Sequence, residues 1–202
     1  MDGGLTWSDL QVIWTNSSET ETNVIGNAAP VQDPSTGRIW MPLCRNNEEV
    51  YIIHSDDDGI TWSSPEYHPE LVQADWKWVG LGPPAGLMLS SGRLLIPSYH
   101  TNVWKGDGCA SRGHTLYSDD HGLTWSIGSE EFGAPYLSNE CQAVELDDGS
   151  VLINARVVST HRIQVVSTDG GLTFGEPYVV EDLVEPLEGC EGSIVRYAGE
   201  RS

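Results

Sequence analysis

Short apolar runs, each bounded by a cluster of turn-forming residues, recur along the whole chain. The clearest pair lies at 139–156, where two runs rich in β-branched and apolar residues flank Asp147-Asp148-Gly149. An Asp-Gly turn between two such runs predicts a β-hairpin. No segment shows a helical period of apolar residues with capping residues at its ends. The pattern therefore predicts an all-β protein.

The hairpin at 139–156 brings two charged residues together at its open end. A turn centred on Asp148 pairs Glu140 with Arg156, and the Cβ atoms of directly opposite residues are about 5 Å apart. A turn shifted by one residue leaves both residues at this end but on opposite faces of the hairpin. On hairpin geometry alone the simplest interpretation is a surface ion pair, worth about 0–1 kcal/mol. The rest of the chain favours a functional role for Glu140 and Arg156.

A second pattern, Ser-x-Asp-x-Gly-x-Thr-Trp, predicts a tight turn and is known as the Asp-box. It recurs with small variations at 2–7, 55–62, 118–125 and 167–174, with the aspartates Asp2, Asp57, Asp120 and Asp169. Each aspartate is expected to accept local backbone N–H groups, while the glycine takes a strained conformation and the aromatic ring packs beneath. Calcium binding at 56–58 is the alternative, but His54 interrupts the alternating oxygen ligands that an EF-hand loop needs.

Hairpin turns at 33–37, 90–92 and 147–149 alternate with these Asp-box turns. Four antiparallel strands repeated about every 50 residues are the signature of a β-propeller blade. We predict near-complete blades at about 24–64, 78–129 and 137–178, together with partial blades at both ends, within one domain spanning 1–202. The first strand of a further blade is predicted at 191–197. Because both ends fall inside a blade, we expect the chain to be a fragment of a longer protein.

The charge of the chain restricts its partners. Its 202 residues carry a formal net charge of −20, and the sequence pI is about 4.3. This balance argues against nucleic acid and anionic membranes as partners, and an anionic ligand would need a local basic site. No apolar run approaches the roughly 20 residues that span a bilayer. The four cysteines lack the close spacing of a metal site, and no cofactor is predicted.

In a propeller, the start of each blade's first strand and the end of its second strand face the same end of the central channel. Polar, aromatic and ionic groups that converge there form a candidate ligand pocket. This rule collects Asn27, Arg45, Tyr99, His100, Glu140, Arg156 and Glu191. The other basic residues, Arg162 among them, are predicted to lie in loops, at outer positions or at the opposite end.

Several motifs together resemble the middle of the exo-α-sialidases (neuraminidases) of animals and bacteria. They are Asn139-Glu-Cys-Gln142, Asn154-Ala-Arg156, Gly189-Cys-Glu-Gly-Ser-Ile194, Gly82-Pro-Pro-Ala-Gly86 with the strand that ends at Tyr99, and Ile25-Gly-Asn-Ala-Ala-Pro30. The resemblance implies a six-bladed propeller that cleaves terminal α-linked sialic acid from glycoproteins, glycolipids or oligosaccharides with retention of configuration. Membrane contact would then arise only through glycolipid substrates.

The resemblance also implies roles for individual residues. Glu140 falls on the glutamate that acts as base toward a tyrosine nucleophile, an exception to the usual pair of carboxylates in glycosidases. Arg156 falls on one of three arginines that bind the substrate carboxylate, which suits a planar guanidinium. Asn27, Tyr99 and Glu191 resemble pocket residues that contact the side chains of the sugar. Glu191 stands where glutamine is common in the family.

The chain departs from the family in ways that limit these expectations. The acid/base aspartate, the other two arginines and the tyrosine nucleophile have no match here, so the chain by itself is expected to be inactive. A non-catalytic Asp-box propeller used for binding or scaffolding is the main alternative, although it has no reason to keep Glu140 together with Arg156. A glycosidase acting on neutral polysaccharides is another, and it would not need Arg156. The sequence does not specify a compartment.

Overall fold

Nearly all regular secondary structure in the described residues is β-strand. The computed structural model describes residues 4–103, 111–129, 131–187 and 189–197. Within these ranges the helical structure is limited to one 3-10 turn, Pro69–Leu71, and none of it is long and apolar enough to span a bilayer. The strands form three antiparallel sheets that follow one another along the chain. The all-β prediction is confirmed.

The innermost strand of the first sheet is interrupted. This sheet contains β1 (Ile25–Gly26), β2 (Val31–Gln32), β3 (Ile39–Arg45), β4 (Glu49–Ser55) and β5 (Glu66–Tyr67). Both β1 and β2 pair with β3, so they are two halves of one strand position. Asn27 has a left-handed φ of 51° and Pro30 has no N–H to donate, so the ladder breaks between the two halves.

The second and third sheets repeat this plan. The second contains β6 (Trp78–Leu81), β7 (Leu87–Met88), β8 (Leu94–Thr101), β9 (Ser111–Ser118) and β10 (Ser126–Ile127). The third contains β11 (Cys141–Glu145), β12 (Val151–Ala155), β13 (His161–Ser167) and β14 (Tyr178–Val184). Each sheet therefore has four strand positions in sequence order, the arrangement of consecutive propeller blades. The outer strands β5 and β14 end beyond residues 64 and 178.

The strand predicted at 191–197 is not formed among the described residues, and that prediction is wrong. The segment is attached to the third sheet through side chains instead. The Ile194 N–H donates to Gln142 Oε1 at 2.8 Å, and Arg196 Nη2 lies 2.5 Å from Asp147 Oδ1. At β11, the inner edge of the third sheet, the side chain of Gln142 thus accepts a hydrogen bond that a backbone carbonyl would accept from a paired strand.

The Asp-box turns satisfy their own hydrogen bonds. Asp57 accepts from the Thr61 N–H at 2.8 Å, from Thr61 Oγ1 at 2.6 Å and from Ser55 Oγ at 2.8 Å. These bonds, those from Thr61 first, lower the pKa of Asp57. The aspartates Asp120 and Asp169 accept the equivalent set from their own serine and threonine. Each turn is therefore rigid without help from the next sheet. Asp2 lies outside the described residues.

Neighbouring sheets are joined where an Asp-box packs on the preceding hairpin. Gly122, in the second described box, lies against the ring of Trp40, and Trp40 Nε1 donates to the His121 carbonyl at 2.9 Å. His121 Nδ1 lies 2.8 Å from Oδ2 of the buried Asp33 in the same hairpin. Burial would raise the pKa of Asp33, but hydrogen bonds from Ser35 and His121 lower it to about 2. The carboxylate of Asp33 is therefore charged, and both of its oxygens accept hydrogen bonds where the two sheets meet.

Two apolar clusters fill the spaces between the sheets. One joins the first and second sheets around Trp40, Trp76 and Leu94. The other joins the second and third sheets around Leu95, Phe132 and Ile153. The core is thus divided into layers between blades, and each layer needs both of its sheets.

A buried histidine pair lies at the edge of the first layer. His100 Nδ1 and His114 Nδ1 are 3.1 Å apart, so one donates a hydrogen bond and the other accepts it. His100 also stacks on Trp76 with 3.9 Å between ring centroids. Glu131 Oε1 is 3.0 Å from His100 Nε2, although outside the direction of a hydrogen bond. Burial lowers the pKa of both histidines. At His100 the negative charge of Glu131 raises the pKa, but the effect of burial is larger. The pair is therefore neutral in the folded protein.

We expect alanine at Gly122 to destabilise the fold more than alanine at Gly149. Both glycines have a left-handed φ, +87° and +83°, but a Cβ at Gly122 would lie 2.2 Å from the Trp40 ring, whereas a Cβ at Gly149 meets nothing within 4 Å. Gly149→Ala should cost about 1–2 kcal/mol through backbone strain. Gly122→Ala should cost at least about 2 kcal/mol more, because the ring must move. Urea unfolding measures both, and equal free energies of unfolding would contradict the expectation.

We also expect stability to fall as the pH falls below 6.5, the ordinary histidine pKa. The folded pair has lowered pKa values and so binds fewer protons than the unfolded chain, which means that its contribution is complete above pH 6.5 and is lost below it. The slope should be about 1.4 kcal/mol per pH unit for each histidine that stays neutral.

Urea unfolding between pH 7.5 and 5 tests this slope. Replacing both His100 and His114 with leucine should flatten the curve. Leu116→Ala, a buried change without a titrating group in the same layer, is the control, and it should lower the stability at every pH and leave the slope unchanged. An equally steep curve for the double leucine variant would show that other groups cause the pH dependence.

Candidate functional site

The mouth of the β11–β12 hairpin holds an arginine–glutamate ion pair. In the observed register Cys141 pairs with Ala155, so Glu140 and Arg156 face each other one step further out. The Arg156 N–H donates to the Glu140 carbonyl at 2.9 Å, and Arg156 Nη1 lies 2.6 Å from Glu140 Oε2. The predicted pairing of these two residues is confirmed. Both side chains remain partly exposed, at 26% and 21%, so a ligand can reach them.

Tyr99 lies beside this pair on the second sheet. The residue that follows Glu140, Cys141, donates its N–H to the Gly82 carbonyl at 3.1 Å and its thiol to the Ser98 carbonyl at 3.7 Å. These bonds hold the start of β11 against the strand that carries Tyr99. Burial, and after it the negative charge of Glu140, raise the pKa of Tyr99 well above its usual value. The phenol is therefore neutral.

Asn27 joins the site from the first sheet, through the break between β1 and β2. Its Nδ2 lies 3.5 Å from the Tyr99 hydroxyl, and its Oδ1 accepts a hydrogen bond from Asn47 Nδ2 at 3.0 Å. Asn47 Nδ2 also donates to the Val79 carbonyl at 3.1 Å. Asn47 thus bridges the first and second sheets at this end. Four of the predicted site residues therefore converge from three different sheets: Asn27, Tyr99, Glu140 and Arg156.

Trp78 is a pocket residue that the sequence analysis missed. Its ring lies against Tyr99, with centroids 4.8 Å apart. Both rings lie over Gly80, where a Cβ would be 2.6 Å from the Tyr99 ring and 2.7 Å from the Trp78 ring. Alternation along β6 places residues 78 and 80 on one face, so the sequence did contain a signal for Trp78. The sequence contained no signal for Asn47, since its bridging role depends on how the β3–β4 turn packs against the second sheet.

Three other residues of the predicted pocket are not hydrogen-bonded to Asn27, Tyr99 or Glu140 in the described structure. Arg45 forms an ion pair with Glu49 at 2.5 Å in its own sheet. His100 follows Tyr99 on the strand and so points to the opposite face, into the core. Glu191 is exposed and makes no hydrogen bond or ion pair with another described residue, because the segment around it does not pair as a strand.

Arg162 was predicted to lie in a loop or at an outer position, and that prediction is wrong. It lies on β13, where the observed register puts it opposite Arg156. Its side chain is 7% exposed, and Nη1 lies 2.6 Å from Oε1 of Glu185, which is 8% exposed. The pairing argument that placed Glu140 opposite Arg156 would have found Arg162 if it had been applied to the next hairpin.

The assembled groups are suited to binding an anion beside a base. Arg156 carries a planar guanidinium, whose fork of N–H donors matches the geometry of a carboxylate. Glu140 is a carboxylate that can accept a proton, and the neutral amides and rings of Asn27, Tyr99 and Trp78 supply polar and apolar contacts. In the described part of the chain, no group of three His, Cys, Asp or Glu residues is arranged to hold a metal ion.

Comparison with known proteins places the chain in a family. The family model described as a BNR repeat-like domain matches residues 1–191. Sialidase-4 of Mus musculus and of Homo sapiens are each 33% identical to the chain, with 96% of the chain covered and 45% and 46% of those proteins. Sialidase-3 of Rattus norvegicus is 32% identical, with 82% of the chain and 46% of that protein covered. The chain spans about half the length of these curated relatives.

Solved structures agree on the fold. Hadza microbial sialidase Hz136 superposes with a TM-score of 0.73 at 23% identity, over 87% of this chain and 38% of that one. Trypanosoma rangeli sialidase in complex with the inhibitor DANA gives 0.71 at 21% identity, over 87% and 31%. At such identities the likeness shows the fold, and the predicted β-propeller is confirmed. The chain therefore belongs to the BNR repeat-like domain family and, within it, to the sialidases.

Proposed function

We propose that the protein formed by this chain hydrolyses terminal α-linked sialic acid from glycoproteins, glycolipids or oligosaccharides. The observation that carries the proposal is the Glu140–Arg156 pair at the mouth of the β11–β12 hairpin, 2.6 Å apart and partly exposed. A sialic acid carries a carboxylate at the carbon that reacts, so its enzyme needs a guanidinium close to its base. The sialidase relatives at 32–33% identity support the same substrate class.

In this proposal Arg156 binds the substrate carboxylate and Glu140 acts as base toward a tyrosine nucleophile, with retention of configuration. A carboxylate nucleophile would repel the substrate's own carboxylate, whereas a neutral phenol activated by a base would not. Asn27 and Tyr99 line the part of the pocket that contacts the sugar's side chains. Glu191, which is exposed, contacts the same side chains of the sugar in this proposal.

Electrostatics supports placing the anion at Arg156. Against a formal net charge of −20, an anionic sugar is held only where positive charge is concentrated. Arg156 supplies such a positive charge at the partly exposed mouth of the β11–β12 hairpin. A scaffolding propeller has no need for such an arrangement, and a glycosidase for neutral polysaccharides would use paired carboxylates instead.

We expect Arg156→Lys to weaken the binding of a carboxylate-bearing transition-state analogue by roughly 1–3 kcal/mol, the range for charge-assisted hydrogen bonds. Lysine keeps the charge but loses the planar fork of donors. Calorimetry on the full-length protein measures the affinity. Arg38→Lys is a matched control, because Arg38 makes a two-bond pair with Asp56 at 2.6 and 2.9 Å away from the pocket. If Arg156→Lys binds as tightly as the wild type, Arg156 is only a cross-strand partner.

Glu140→Gln should lower mainly the turnover number, because it removes the base and keeps the shape of the side chain. Steady-state kinetics with a fluorogenic sialoside tests this expectation. An unchanged turnover number with a raised KM would instead assign Glu140 to substrate binding.

Residues 1–202 alone should not release the fluorophore from the same sialoside. The residues that match the family supply one base and one of the three expected arginines, and no acid/base aspartate or tyrosine nucleophile has been matched in this sequence. The assay compares the chain with its own Glu140→Gln variant. A rate for the unmodified chain above that of the variant would overturn the expectation.

A further inference from the structure

Two arginines face each other beside the candidate site. The β12–β13 register pairs Ala155 with Ile163, which places Arg156 and Arg162 opposite one another at the end of the ladder. Like charges directly opposite each other in a sheet are unfavourable. Here each arginine has its own carboxylate, Glu140 on one side and Glu185 on the other, at 2.6 Å in both pairs. The four charges form a row across the third sheet in the order minus, plus, plus, minus.

The ion pair between Arg162 and Glu185 is buried. Arg162 and Glu185 are 7% and 8% exposed, so neither can turn toward water. Arg162 also donates through Nε to Asn154 Oδ1 and through Nη1 to the Cys190 carbonyl, the latter at 2.6 Å. Removing one partner of a buried pair leaves the other charge without compensation. Arg162 is therefore an immobile positive charge next to Arg156.

The same pair holds a loop against Arg156. The Cys190 N–H donates to Glu185 Oε1 at 3.4 Å, and Arg162 Nη1 donates to the Cys190 carbonyl, so the backbone of Cys190 is tied to the pair. The neighbouring Gly189 has a φ of +67°, and a Cβ there would lie only 2.7 Å from Arg156 Cγ. The loop backbone thus packs directly on the aliphatic stem of Arg156.

We propose that the buried Arg162–Glu185 pair is a positioning device for Arg156. It holds the backbone at Gly189 and Cys190 against the stem of Arg156, and this packing keeps the Arg156 guanidinium beside Glu140. Arg162 and Glu185 touch no substrate in this scheme and act through Arg156 alone. The binding of a substrate carboxylate by Arg156 rests on the proposed function, but the positioning of its side chain by the buried pair does not.

Phenylglyoxal, which modifies accessible guanidinium groups, tests the position of Arg156 in the chain itself. Mass spectrometry of peptides gives a separate rate for each arginine. We expect Glu185→Gln to raise the rate at Arg156 several-fold and to leave Arg38 unchanged. Asp56→Asn is the matched control, because it breaks the comparable pair of Arg38, whose exposure of 29% is close to the 26% of Arg156. It should raise the rate at Arg38 only.

A second variant separates positioning from stability. Replacing Arg162 and Glu185 together with methionine removes both buried charges, and such replacements are often neutral for stability. We expect this double variant to unfold at nearly the wild-type urea concentration while Arg156 still reacts several-fold faster. A wild-type rate at Arg156 in this folded double variant would overturn the proposal. Equal increases in the reaction rates of Arg38 and Arg156 in Glu185→Gln would also overturn it, because they would show that the buried pair only stabilises the fold.

Kinetics on the full-length protein distinguishes this inference from the proposed function. With a sialoside substrate, Glu185→Gln should raise KM about tenfold and change kcat less than about twofold, because a displaced Arg156 weakens carboxylate binding and leaves Glu140 in place. A change in kcat alone would count against positioning through Arg156. If the full-length protein hydrolyses no sialoside, the proposed function fails, and the phenylglyoxal rates still decide the role of the buried pair.

Discussion

The fit of each Asp-box onto the hairpin of the preceding sheet determines how the sheets stand relative to one another. At the first joint the missing side chain of Gly122 lets the backbone rest on the Trp40 ring, and the indole N–H binds the His121 carbonyl. The second joint repeats the fit with Gly171 on Leu95, while Arg93 Nη1 donates to the carbonyls of Asp169 and Gly170. Asn27, Tyr99 and Glu140 come from three different sheets, so the distances among them depend on these two joints.

The two ends of each sheet therefore have different tasks. One end carries the Asp-boxes, whose hydrogen bonds are satisfied locally and whose glycines permit close packing. At the other end the innermost strands are broken, by Asn27 in the first sheet and by Gly82-Pro83-Pro84 in the second. Broken strands release side chains and backbone groups from the ladder. The polar groups of the candidate site lie at this less regular end, where the bonds of Asn47 and Cys141 also join neighbouring sheets.

Most of the repeated architecture could be predicted from the sequence because its causes are local. An Asp-box or an Asp-Gly hairpin specifies its own turn, and the turn specifies which residues face each other, as for Glu140 and Arg156. The errors concern contacts with more distant causes. Strand alternation turned His100 into the core, Arg45 is paired with the neighbouring Glu49, and the segment 191–197 has no strand partner among the described residues. Arg162 was misplaced because its burial depends on Glu185, which lies beyond the end of β14 and has no local signal.

The contact between Glu140 and Arg156 also bears on selectivity among anions. In the protein without ligand, the positive charge of Arg156 is already compensated by a carboxylate at 2.6 Å. A small ion such as chloride or phosphate would have to compete with Glu140 and would leave that carboxylate without its partner. A larger ligand that brings its own hydroxyl group can satisfy Glu140 while its anionic group binds Arg156. The internal counter-ion thus makes the pocket respond to a particular combination of groups rather than to negative charge as such.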